Sequence, residues 1–271
     1  MFGFVLIFAI TLMHIYVFWR VASVPVVKRH LSRKVLMGAG LLLWATFVLG
    51  RVYGHHSTGP LAKHLELLGM NWMAMLFLLF VSLLAMDLVT GFGFFAPRLA
   101  PSLRTIALVA GVVLSAVALF QGLRPPVVEN YEVHLPGLGD EMDGKVIVAM
   151  SDLHLGNLLG ERWLEGRVAQ VQAQKPDIVV LLGDLFEGHG KPQGELLPVL
   201  RRLSAPLGVW VVPGNHEFHH RSNGSTFLIE DAGFQLLRNR WVEVRPGPVS
   251  YTHLRAHETN CNIAYAVFCL K

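Results

Sequence analysis

Cysteine is nearly missing from this chain: Cys261 and Cys269 are its only two, and residues 1–260 have none. The body of the protein therefore does not depend on disulfides. Acidic residues are almost absent from residues 1–123, where nine Lys/Arg face only Glu66 and Asp87, a balance of +7. The remainder carries 14 basic against 17 acidic residues, −3, so the net charge of +4 and the pI near 9.2 originate in the first part. A basic excess of that origin is a topology signal and gives little reason to expect nucleic acid as a partner. Internal repeats and long low-complexity segments are also lacking. No basic stretch precedes the first apolar run, which argues against a secretory signal there.

What the chain does have is apolar sequence, 53% of its residues, concentrated before Gly122. Residues 1–19, 35–53, 69–89 and 105–123 each approach the length needed to cross about 30 Å of hydrocarbon. Polar faces are nearly absent from them, so residues 1–123 read as a four-helix transmembrane region and the protein as a multi-pass protein of the cell membrane, in contact with its lipids. Tyr16, Trp19, Trp44, Tyr53 and Trp72 lie toward the run ends, as interfacial aromatics do. Arg20, Lys28, Arg29, Arg33 and Lys34 make a basic loop that prefers the cytoplasm, and four crossings then place the following domain outside it. His14 and Asp87 read as helix-end polar residues, with Arg98 and Arg104 as the expected partners of Asp87. His55, His56 and His64 read as an ordinary loop.

Arg124-Pro125-Pro126 ends the fourth helix. An edge strand is expected over 127–135 and a turn over 136–140, leaving little slack between domain and bilayer. Three apolar runs then read as strands: 145–150, 177–182 and 209–212. Residues 161–174 and 195–203 carry helical spacing between them, so the pattern predicts an α/β domain with a parallel sheet and right-handed crossovers. A short helix over 226–231 and strands at 234–237 and 241–244, two or one broken, complete the domain at 124–249.

Each of the three strands runs into a motif rich in metal-binding side chains: Ser151-Asp152-Leu153-His154, Gly183-Asp184 and Gly214-Asn215-His216-Glu217. Ligands of parallel sheets bind at such carboxyl ends. Asp152 and His154, two apart on a strand end, are expected to point to one side. Asp184 follows a glycine and has two oxygens with which to bridge two ions. Asn215 offers a carbonyl oxygen, and His216 either a ligand or a proton donor to a phosphate or leaving group. Phe218, His219, His220 and Arg221 follow and read equally well as lining the site mouth or as an exposed loop. A carboxylate, amide and imidazole set suits two divalent ions such as Mn, Fe or Zn better than a calcium cage.

Asp-x-His, Gly-Asp and Gly-Asn-His-Glu, in this order and each after an apolar strand, resemble the calcineurin-like metallophosphoesterases. The likeness is to their bacterial branch with membrane segments ahead of the domain, and it covers about residues 146–244. It implies a β-sandwich flanked by helices, with Asp152, His154 and Asp184 holding one metal and Asp184 and Asn215 the second. His216 is implied as the catalytic residue that contacts the phosphoryl group. The implied reaction is hydrolysis of a phosphate ester or pyrophosphate by a hydroxide held between the metals. A phosphorylated small molecule or a lipid-linked substrate is the expected partner.

The family pattern continues with a further His and a Gly-His-x-His motif, and neither is found after residue 244. The composition instead changes after Pro246-Gly247-Pro248, and residues 250–271 are similar to translated adapter read-through. They read as a tail foreign to a truncated domain that lacks its second sheet and exposes apolar surface. His253 and His257, four apart, are the other reading, since on a helix they would share a face. The function expected by resemblance is that of a membrane-bound phosphoesterase, with the truncated chain itself expected to be inactive. The alternative is a non-catalytic membrane protein whose incomplete phosphatase-like domain binds a partner or one metal.

Overall fold

The computed structural model describes residues 2–54, 57, 59–134, 139–156, 159–187, 191–219, 224–239, 241–244, 252–258 and 264–269. The chain divides into two units, Met1–Pro126 and Val127–Lys271.

The first unit is helical: α1 Phe2–Val21, α2 Pro25–His30, α3 Arg33–Val52, α4 Pro60–Val89 and α5 Ala100–Gly122. Among the described residues, all of these but α2 are long and apolar enough to cross a membrane. They match the four apolar runs, except that α4 begins at Pro60 rather than at residue 69 and α5 at Ala100 rather than at residue 105. Proline at the first helical turn costs no hydrogen bond, and the residues after it bury Ala62 and Glu66. Ser32 caps α3 by accepting the Val35 N–H at 3.3 Å. The helices cross at small residues. A Cβ on Gly69 would stand 3.0 Å from the Thr46 carbonyl, and one on Gly111 would stand 3.2 Å from the Leu79 Cα. Ile10, Val17, Phe47, Leu76, Leu79, Leu83 and Ala107 form the packed interior.

One charge is fully buried there. Asp87, 0% exposed, accepts the Tyr16 hydroxyl at 2.5 Å and the Arg104 Nε–H at 3.0 Å, and it pairs with Arg20. Arg104 is the expected partner, whereas Arg98 is exposed and Arg20 from α1 takes its place. Helix ends that meet in space, and not neighbours in sequence, decide the pairing. Arg20 also lies 3.7 Å over the Trp19 ring. It is therefore buried in the bundle rather than a free charge of the basic loop. His14 stacks on Phe18 at 4.5 Å and accepts the Trp72 Nε1–H at 3.4 Å. His64 lies on α4 with Nδ1 2.5 Å from the Pro60 carbonyl oxygen, while His55 and His56 fall outside the described residues.

The second unit opens without the expected edge strand. Residues 127–134 are irregular and exposed, with the Tyr131 hydroxyl on Glu129. No described strand pairs with this segment, so its backbone groups are left to water. Residues 136–138 of the expected turn lie outside the described residues, and Asp140–Met142 form a 3₁₀ turn.

Strands β1 Ile147–Met150, β2 Ile178–Leu182, β3 Val209–Val212 and β4 Gln235–Leu236 form a parallel sheet in chain order. Helices α6 Glu161–Gln172, α7 Leu197–Leu200, α8 Asn215–His219 and α9 Gly224–Asp231 lie between strands in sequence. The helix expected over 195–203 is shorter. Pro198 cannot donate to a preceding carbonyl, and Lys191–Leu196 winds as 3₁₀ before α7 begins.

Strand alternation sorts the sheet into two faces. Val179, Leu181, Val209 and Val211 pack with Leu164, Val168 and Val171 of α6, with Val199 and Leu200 of α7, and with Ile229 of α9. Each such aliphatic side chain contributes about 1.5–3 kcal/mol when fully buried. Ile178, Val180, Trp210 and Val212 form the other face with Leu237 and Val244. That face is buried, contrary to the expected exposure, with Ile178 at 0% and Trp210 at 5%. The adjacent sheet is antiparallel: β5 Trp241–Val244, β6 Thr252–Glu258 and β7 Ala264–Cys269, with β7 against β2. The segments at 234–237 and 241–244 are thus two strands in two sheets. His253 and His257 lie on a strand, so helical spacing does not apply to them.

Candidate metal centre

Parallel pairing brings the three motifs to one edge. Met150 is in register with Leu181, and Leu182 with Val212, so the chain leaves β1, β2 and β3 side by side. The pairing continues past the strands. Asp152 N–H donates to the Gly183 carbonyl at 3.2 Å, His154 N–H to that of Asp184 at 2.9 Å, and Leu155 N–H to that of Leu185 at 2.8 Å.

The backbone here is bent into an uncommon region. Asp152, His154 and Asp184 have φ of 55°, 43° and 50°. Non-glycine residues seldom adopt such values, and their clustering marks functional sites. Asp152 and His154 do reach one side, with His154 Nε2 3.9 Å from Asp152 Oδ1. The cause is this left-handed path beyond β1 and not strand alternation.

Asp184, His154 and His216 come together with ligand atoms all within 4.8 Å of one another. Donors on one ion at about 2.0–2.2 Å stand at most about 4.4 Å apart, so this spread is near bonding range. The His154 and His216 rings meet edge to face at 4.7 Å. His154 Nδ1 is buried and has no hydrogen bond, and Glu187 Oε2 lies 3.7 Å from it. Asp184 Oδ1 accepts the His216 N–H at 2.9 Å, which fixes the carboxylate against the start of α8. Asn215 opens that helix. An orphaned imidazole nitrogen beside mixed carboxylate and imidazole donors fits a divalent cation.

Asp152, His154, Asp184 and His216 therefore cluster, with Asn215 adjacent in sequence. Of the residues after Glu217, the side chains of Phe218 and His219 are not described, and His220 and Arg221 fall outside the described residues. Two acids had no role in the sequence reading. Glu187 stands beside His154. Glu217, 6% exposed, accepts the N–H groups of Asp184, Leu185, Phe186 and Gly214 at 2.8–3.2 Å. Its signal was present as a capping-box spacing, an acid three residues after the residue that precedes α8.

Comparison with known proteins agrees with this arrangement. The profile of the family described as calcineurin-like phosphoesterase matches residues 145–255. A bovine "Transmembrane protein with metallophosphoesterase domain" is 31% identical over 140 residues, 51% of this chain and 32% of that one. An uncharacterized metallophosphoesterase of Aquifex aeolicus is 36% identical over 117 residues, 43% of this chain and 44% of its own length. One from Campylobacter jejuni is 31% identical over 116 residues, 43% of this chain and 30% of its own. The chain thus spans less than half the length of these relatives. No solved structure matches it significantly. With three strand-end motifs converging where that family's profile lies, the chain carries a calcineurin-like metallophosphoesterase domain over residues 145–255, after four apolar helices.

Proposed function

We propose that this protein is a membrane-bound, metal-dependent hydrolase of a phosphate ester or pyrophosphate bond. The carrying observation is the convergence of His154, Asp184 and His216 within 4.8 Å at the carboxyl edge of a parallel sheet. Asp152, His154, Asp184 and Asn215 are the residues that would hold two divalent ions, with Asp184 shared between them. When bound, such ions supply Lewis acidity and ionise water near neutral pH. Asp184 is fixed for its role by the His216 N–H on Oδ1, which leaves Oδ2 and a remaining lone pair of Oδ1 as donors. His216 belongs to this group and is half-buried, so its imidazole can hold a phosphoryl oxygen or pass a proton to the leaving oxygen.

The likeness to the family and the four long apolar helices in the same chain support a phosphorylated small molecule or a lipid-linked phosphate as the substrate class. An extracytoplasmic domain suits either, and the loop charges support that placement.

The test is hydrolysis of a chromogenic phosphodiester with Mn²⁺ present, using the complete chain in detergent or nanodiscs. Asp184→Asn removes an anionic oxygen and is expected to abolish turnover. Activity within about tenfold of the unsubstituted protein, roughly 1.4 kcal/mol in barrier, would sink the bridging role. His216→Ala is expected to lose turnover and keep bound metal. Metal lost together with turnover would make His216 a ligand, a role its position beside His154 and Asp184 also permits.

A further inference from the structure

We propose that Glu217 is a positioning residue that locks together two of the three loops carrying the metal-binding side chains, those after β2 and β3. This rests on the metal reading above but concerns a residue outside that ligand set. An ionised carboxylate has about four acceptor sites. Glu217 Oε2 takes the N–H of Asp184 at 3.0 Å and of Gly214 at 2.8 Å, and Oε1 takes those of Leu185 at 2.8 Å and Phe186 at 3.2 Å. Four donors match four sites, so Glu217 has no capacity left for an ion.

The donors come from both loops. Three successive N–H groups after β2 converge on one point, which makes an anion-binding concavity, and the protein fills it with its own carboxylate. The fourth donor, Gly214, belongs to the loop after β3. Asp184 in turn accepts the His216 N–H, so hydrogen bonds link Gly214, Glu217, Asp184 and His216 in series, and the backbone of 214–216 closes the circuit. Asp184 is held in its left-handed conformation from both sides, its N–H by Glu217 and its Oδ1 by His216. Gly214 has to be glycine for the loops to meet, because any Cβ there would collide with Asp184 Oδ1. Charge matters as well as shape. Glutamine at 217 would turn an NH₂ toward two N–H donors and leave them unpaired.

The test uses the complete chain in lipid nanodiscs and compares Glu217→Gln, Glu217→Asp and Asp184→Asn. Backbone hydrogen exchange is followed by mass spectrometry, and Mn²⁺ binding by calorimetry. Glu217→Gln is expected to speed exchange in residues 184–186 and at 214 while 178–182 stay protected, and to weaken Mn²⁺ by at least about tenfold. Glu217→Asp keeps the charge and is expected to fall between. Asp184→Asn is expected to lose Mn²⁺ but retain exchange protection, since all four amides keep their acceptor.

Unchanged exchange and affinity in Glu217→Gln would overturn the proposal. So would loss of protection spreading across 178–182 and 209–212, which would make Glu217 a residue of general stability. Absence of Mn²⁺ binding in the unsubstituted chain would defeat the metal reading instead, while the exchange contrast would still decide what Glu217 does.

Discussion

The residues of the candidate metal centre are held in conformations that local preference disfavours. Left-handed geometry costs a non-glycine residue roughly 1–2 kcal/mol, and Asp152, His154 and Asp184 all adopt it. The surrounding hydrogen bonds offset that cost. Asp152 and His154 donate to the next loop, and Asp184 is gripped by Glu217. Gly183, at φ +88°, permits the turn before Asp184, and a Cβ there would come within 2.7 Å of Gly214 Cα. The close approach at Gly214 yields a prediction. Gly214→Ala must push Asp184 aside, so it is expected to destabilise the domain by about 1–3 kcal/mol and to weaken Mn²⁺ together with turnover. Thermal unfolding and metal titration check it, and a fully functional alanine variant would show that the loops have slack.

Among the elements, the buried carboxylate of Asp87 pins the ends of three helices. It sits near the end of α4 and joins Tyr16 and Arg20 of α1 to Arg104 of α5. Arg104 also donates to the Phe92 carbonyl at 3.1 Å, which ties in the turn between α4 and α5. Such an ion cluster is sensitive to losing one partner and tolerant of being replaced whole. Asp87→Asn, which leaves two guanidinium groups uncompensated, is expected to cost about 3 kcal/mol. The triple replacement Arg20→Met/Asp87→Leu/Arg104→Met should regain most of it. Unfolding in mixed micelles measures both, and equal stabilities for the single variant and the parent would show that the cluster is solvated. In the second unit a smaller tie joins the starts of β1 and β2. Asp177 accepts the Val146 N–H at 3.0 Å and pairs with Lys145 at 2.9 Å, and these hold its carboxyl below the usual aspartate range.

For the whole molecule, loop charge makes a prediction about orientation in the membrane. With Arg20 neutralised by Asp87, the basic loop between α1 and α3 retains Lys28, Arg29, Arg33 and Lys34, all exposed or half-exposed. By the positive-inside tendency that loop would stay in the cytoplasm, and four crossings would then put the second unit outside it. A reporter fused after His30 is expected to behave as cytoplasmic and one after Val244 as exported. A cytoplasmic signal at Val244 would mean an odd number of crossings, with α1 the first to doubt.

Much of this architecture was determined by the sequence alone. The four spans, β1 to β3 and α6 follow from local periodicity and apolar run length, which need no knowledge of distant partners. The candidate metal-binding residues were legible too, because Gly-Asp and Gly-Asn-His stand directly after buried strands. Other features depended on tertiary structure. Whether 127–134 pairs as a strand depends on a neighbour, and none of the described strands is beside it. Asp87 chose Arg20, 67 positions away in sequence, because helix ends converge in space. The role of Glu217 was hidden for the same reason: its four donors lie on two loops, one of them more than thirty residues earlier, and hydrogen bonds over that separation exist only once β2 and β3 stand side by side.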